Sequence, residues 1–330
     1  MQLPMQPRSI GMLFAICGVL VAGILSYLPE QASAAELSRM VTLTLHDKRS
    51  SPLDLEIGGD LAHVPAGAAR YLTRNDLLAL PQETFTVNDD ANVQGSTEIS
   101  GVSLAELTRR LGADPNSDMV VAICDDAYRA NYPGAYVAAH HPILVLNING
   151  KPPSGWPKDS EGHGMDMGPF LISHPKFTPS FKVLSHSDEP QIPWGVVRIE
   201  IRNEKTVFGA IAPRGDHAID APVQNGYRIA QQNCFRCHNQ GVEGGTKAGH
   251  PWQVLAAWAT ASPEYFMAYV RNPQSKNPQA QMPGNPSYDD ATLAALKAYF
   301  RTFAASTATK SSAAKPRSRE KDGKKEKVKP

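Results

Sequence analysis

Five consecutive residues, Cys234-Phe235-Arg236-Cys237-His238, constrain this chain more tightly than any other feature. Two thiols three positions apart can reach the two vinyl groups of one haem and form thioethers. The next residue then offers an imidazole to the iron. The same spacing also serves zinc half-sites and redox dithiols. A zinc site needs two further Cys or His ligands nearby, and the chain has no second Cys pair. A redox dithiol has no use for the adjoining His238 or for a helical setting. The motif therefore reads as covalent attachment of one haem c through Cys234 and Cys237, with His238 as an axial ligand.

The second axial ligand is expected downstream in the same domain. Met282, in Gln281-Met282-Pro283-Gly284, is the first candidate, because a thioether is soft and suits a low-spin, high-potential iron. Pro283 and Pro286 restrict the loop that carries it. Met267 falls inside a predicted helix and reads as core, and His250, twelve residues after His238, is the rival ligand.

The remaining cysteines exclude a disulfide framework. Cys17 lies in an N-terminal leader and Cys124 stands alone. The leader, 1–35, has Arg8, then the uncharged run 10–28, then small residues up to Ala35, and reads as an export signal. The run is also long enough to span a bilayer, so a retained anchor is the alternative; both place the rest of the chain in the periplasm. The formal net charge of +1 hides a basic tail: residues 306–330 carry a balance of +6, which leaves the body near −5. A nucleic-acid binder carries its positive charge on the fold, so that class is set aside. The tail reads as solvated, with attraction to anionic lipids or an acidic partner as the alternative.

Between 36 and 204 the signals are mixed. Segments 40–46, 96–100, 118–124 and 143–149 look extended, and Trp194–Arg202 alternates like a strand. Thr73 with Asp76 caps a helix over 75–80. Ser103 with Glu106 caps Leu104–Leu111, closed by Gly112. Pro, Gly, Ser and His crowd 151–190, which predicts long loops. Segment 205–219 reads as a linker. Helices are then expected over 223–233, Pro263–Arg271 and 289–303, within a domain at 220–305. Segment 306–330 lacks the apolar residues for a core and is expected to be disordered. The fold class is thus an α+β mixed-sheet domain followed by an all-α domain.

The second domain resembles class I cytochromes c. Gly226 stands eight residues before Cys234, where that family packs its first and last helices, and Tyr299 stands at the expected contact. Ser262-Pro263-Glu264-Tyr265-Phe266-Met267 and Met282-Pro283 are similar to its third helix and ligand loop, while Ala230 replaces a common aromatic residue. The resemblance implies outer-sphere electron transfer at an exposed haem edge.

The upstream domain is similar to the sulfite-oxidase-type molybdopterin-binding fold, through Leu77-Leu78-Ala79-Leu80-Pro81, Ser100-Gly101-Val102-Ser103-Leu104, Asp125-Asp126-Ala127-Tyr128, 143–150 and Gly168-Pro169-Phe170. In that family a cysteine after the strand corresponding to Glu83–Val87 ligates molybdenum. Here Asn88-Asp89-Asp90-Ala91 follows that strand, so a molybdenum cofactor is not expected. Cys124 is the remaining thiol, read as a buried small hydrophobe with metal ligation as the alternative. Asp125, Asp126 and Tyr128 line a pocket at strand ends or cap a turn. His163, Met165, Met167 and His174 are donors soft copper can use, against a plain packing role, and His140-His141 precede a strand.

These readings point to an exported monohaem electron carrier whose upstream domain docks redox partners or a small ligand. The alternatives are a molybdenum-dependent sulfite-dehydrogenase-like enzyme with its own haem acceptor, and a structural or assembly subunit of a larger oxidoreductase.

Overall fold

Capping and alternation set the first half of the fold. The computed structural model describes residues 43–88, 90–158, 166–175, 182–183, 186–187 and 191–311. The leader with Cys17, the His163 and Met165 donors, and the tail from 312 lie outside them. In chain order the strands are β1 (Leu55–Gly59), β2 (Arg70–Leu72), β3 (Glu83–Val87), β4 (Thr97–Ser103), β5 (Met119–Cys124), β6 (Arg129–Pro133), β7 (Ile143–Ile148) and β8 (Phe170–Ser173). Two-residue strands β9 (Lys182–Val183) and β10 (His186–Ser187) pair with each other before β11 (Trp194–Arg202). Helices α1 (Arg74–Leu78), α2 (Leu104–Leu111) and α3 (Gly134–His140) interrupt the series. Thr73 and Asp76 form a reciprocal capping box on α1, and the Ser103 hydroxyl accepts the Glu106 amide at the start of α2. Gly112, at φ +68°, closes α2 in the left-handed region.

Strand β11 organises the sheet. Along one edge it pairs antiparallel with β5, from Val196–Cys124 to Arg202–Met119. Its other edge is shared between β8 and, beyond a bulge, the parallel strand β1. Two arms diverge from it, β6-β5-β11-β1-β2 and β11-β8-β7-β4-β3, nine strands among the described residues. The sequence missed β8, whose four residues are all buried inside the stretch expected to be loop. His140 ends α3, His141 takes φ +49°, and β7 begins directly after Pro142, as expected.

The second half is helical: α4 (Glu204–Gly209), α5 (Ala221–Gln232), α6 (Trp252–Ala261), α7 (Pro263–Arg271) and α8 (Asp290–Ser311), with a small hairpin of β12 (Asn239–Gln240) and β13 (Glu243–Gly244). Helices α5 and α8 cross at Gly226, where an added Cβ would lie 2.1 Å from the Ala295 carbonyl oxygen. Tyr227 stacks on Tyr299 beside the crossing, with ring centroids 5.6 Å apart. Helix α8 runs to Ser311, past the expected end at 303, through a stretch rich in the strong helix former Ala. No helix among the described residues is long and apolar enough to cross a membrane.

The segment read as a linker is built into the packing. Val207, Phe208 and Ile211 are buried, and the Tyr227 and Tyr299 hydroxyls donate to the Phe208 and Ile211 carbonyls at 2.9 and 2.5 Å. Strand β5 alternates between two cores. Val120, Ala122 and Cys124 face the interior of the sheet domain. Met119 and Val121 pack with Val207, Phe208, Ile211, Phe235 and Trp252 in the core of the helical domain. At roughly 1.5–3 kcal/mol for each such side chain fully buried, this contact holds the two halves far more firmly than a tether. Beside it, Arg198 bridges Glu56 and Glu200 at 2.8 and 2.6 Å, Arg202 binds Glu200 at 3.0 Å, and Arg202 reaches across to the buried Glu243.

Candidate haem-binding site

The attachment motif follows α5 directly. A 3-10 turn over Cys234–Arg236 brings the Cys237 and His238 amides back to the Cys234 carbonyl at 3.2 and 2.9 Å. This tight turn places both thiols and the imidazole on one short loop. Phe235 points the other way, fully buried, with its ring centroid 5.5 Å from Trp252 and 6.3 Å from Phe208. It anchors the loop while Cys234, Cys237 and His238 remain half-buried.

His238 is oriented by its backbone partner. Its Nδ1–H donates to the His250 carbonyl at 2.6 Å, which fixes the tautomer and leaves Nε2 as the ligand atom. Burial lowers the pKa of His238, against the opposing pull of that hydrogen bond, so the imidazole stays neutral and able to ligate. The His250 ring meets Trp258 edge-on at 5.1 Å.

Both thiols are held above the ordinary cysteine range. Burial, then the neighbouring Cys237, pushes Cys234 up to about 12, and burial raises Cys237 as well. A redox dithiol needs a depressed thiol instead. Among the described residues no group of three His, Cys, Asp or Glu side chains is placed to hold a metal ion. A protonated thiol pair beside one fixed imidazole fits covalent haem.

Met282 sits on a pinned loop. Gln274 donates through Nε2 to the Ala280 and Met282 carbonyls at 2.9 and 3.1 Å. Asn285 bonds Val270 and Arg271, and Arg271 Nε reaches the Tyr288 carbonyl at 3.2 Å. Met282 and Met267 are both half-buried against the helical core.

In the sheet domain the candidates separate. Cys124 is buried in the core, and burial, then Asp126 and Asp125, raises its thiol far above the usual range. Asp90, in the segment after β3, is buried and accepts the Ser173 hydroxyl. These residues do not fit a thiolate-held molybdenum. Asp126 caps a turn by accepting the Tyr128 amide at 2.9 Å, and the Asp125 amide donates to Gly195 at 2.9 Å. Met167 lies in a small core with Trp156 and Leu171, and His174 is bonded to the Tyr136 hydroxyl at 2.9 Å.

No local sequence signal marks Lys247 and Arg236 as neighbours of the β5–β6 turn. Lys247 pairs with Asp126 at 2.5 Å, and Tyr128 hydrogen-bonds Arg236 inside the motif.

Residues 221–300 match the family described as cytochrome C oxidase, cbb3-type, subunit III. They form a cytochrome c domain. Such a domain implies covalently bound haem c and transfers electrons. Among solved structures, the crystal structure of the sulfane dehydrogenase SoxCD from Paracoccus pantotrophus is similar at 20% identity and a TM-score of 0.32. That match covers 48% of this chain and 40% of the SoxCD chain, so this chain spans less than half of its length. No curated protein matches the chain. The cytochrome c domain thus follows a mixed-sheet domain in a two-domain layout.

Proposed function

We propose that this chain is an exported carrier that moves single electrons between redox proteins through one haem c. The observation that carries this reading is the His238–His250 bond beside the two protonated thiols, since it aims one ring nitrogen of the motif at a metal. In this reading Cys234 and Cys237 hold the haem by thioethers, His238 Nε2 binds the iron and Met282 is the opposite ligand. The bound haem supplies a one-electron couple. The protein's part is to orient the imidazole, keep the attachment loop dry behind Phe235, and fix the Met282 loop. The sheet domain acts as a docking or small-ligand module without molybdenum, supported by the buried Asp90 and the protonated Cys124. Its place of action is the periplasm, free or tethered by the leader.

The test is metal analysis of protein from a host that attaches haem c and makes molybdenum cofactor. One iron per chain without molybdenum is expected. One molybdenum per chain, with haem reduction on adding sulfite, would replace the carrier with an enzyme. Met282→Ala should abolish the weak long-wavelength absorption of a methionine-bound ferric haem and lower its potential. If that band survives, Met282 is not the ligand; a wild-type spectrum of two histidines on the iron makes His250 the residue to test next.

A further inference from the structure

The turn between β5 and β6 touches the haem-attachment region at several points. The Thr246 amide donates to the Ala127 carbonyl at 3.1 Å. Lys247 Nζ meets Asp126 Oδ2 at 2.5 Å and lies 5.8 Å from the Tyr128 ring centroid. Asp126 is itself fixed, because its other carboxylate oxygen accepts the Tyr128 amide. On the motif side, the Ala248 amide donates to the Cys237 carbonyl at 3.0 Å, directly after Lys247. Gly244 and Gly245 permit the close approach. A Cβ on Gly245 would fall 1.8 Å from the Arg236 carbonyl oxygen, and one on Gly244 would fall 2.5 Å from the Phe235 ring.

A half-exposed ion pair adds little to stability. A redox couple is a more sensitive reader of the same charges. A carboxylate favours the more positive ferric state and an ammonium favours the ferrous state, each in proportion to its proximity. Asp126 comes from the sheet domain and Lys247 from the cytochrome domain, so the balance between them depends on how the two are seated. We propose that Asp126 and Lys247 form a potential-setting pair, through which the sheet domain adjusts the reduction potential of the haem attached at Cys237. They are positioning residues for charge and touch no substrate. The inference rests on the haem reading above.

The experiment is a spectroelectrochemical titration of the full-length holoprotein at low ionic strength. Asp126→Asn should raise the midpoint potential, Lys247→Met should lower it, and the double variant should lie between them. The side chains are 39% and 48% exposed, so added salt should shrink both shifts. Glu98→Gln, on β4 and three strands from β11, serves as the control for net charge. Intact covalent haem with unchanged potentials, or shifts no larger than the control's, overturns the proposal. Absence of covalent haem from the wild-type protein overturns the haem reading, and the proposal with it.

Discussion

Replacing Gly226 with alanine places one methyl group where two helices touch. The new Cβ would lie 2.1 Å from the Ala295 carbonyl oxygen, 2.6 Å from its carbon and 2.7 Å from Tyr299 Cβ. Two of those atoms are backbone, so no rotamer change relieves the overlap. The helices have to part by about 1 Å to reach ordinary contact, and overpacking of this kind costs roughly 1–3 kcal/mol. The separation also loosens the Tyr227–Tyr299 stack and the Val223 and Leu296 side chains buried beside it. Alanine recovers about 1 kcal/mol of helix propensity over glycine, so the net loss expected is about 1 kcal/mol. For a protein of this size that is roughly 2–4 °C in Tm. The assay is thermal unfolding of the holoprotein, followed by haem absorption and tryptophan fluorescence. A Gly226→Ala protein as stable as the wild type, or more so, would refute the packing argument.

Three further perturbations address other parts of the molecule. Cys124→Ala should cost roughly 1–2 kcal/mol by leaving a small cavity in the sheet core, with haem content and spectrum unchanged; loss of a second bound metal would show that the thiol ligates. Glu243→Gln leaves Arg202 and Arg129 without their shared buried carboxylate and should cost roughly 2 kcal/mol. Haem absorption and far-ultraviolet dichroism should still report one transition, and two separate transitions in the wild type would contradict the shared core. Burial, then His140, pushes His174 down to about 3, whereas an unfolded histidine titrates near 6.5. The unfolded chain therefore binds this proton first, and the stability it contributes is full above about pH 6.5 and is lost as pH falls toward 3. Denaturant midpoints between pH 7 and 4 should fall less steeply in His174→Gln, and parallel curves would remove His174 from the acid response.

Much of the helical half was legible because its signals are local. The haem motif, the Gly226 crossing and helix Pro263–Arg271 depend on residues close in sequence or on a fixed spacing. The two capped helices of the sheet domain were legible for the same reason. What escaped was tertiary. Residues 205–219 carry enough Gly, Pro and charge to read as a tether, yet Val207, Phe208 and Ile211 fill the space beneath Tyr227 and Tyr299. The run Met119–Cys124 held a clue in its unbroken apolar character, which is what a strand covered on both faces requires. Its partner on the second face is built by residues more than eighty positions later, and no local pattern announces them. The same distance hid Lys247 from Asp126.

The seating of the attachment loop on the β5–β6 turn carries a consequence for biogenesis. On the proposed haem reading the motif has to be open when the thioethers form, while in the folded protein Thr246 and Ala248 tie it to the turn and Phe235 is locked beneath it. Attachment is then expected before the two halves close, and a chain that closes early is expected to stay without its haem.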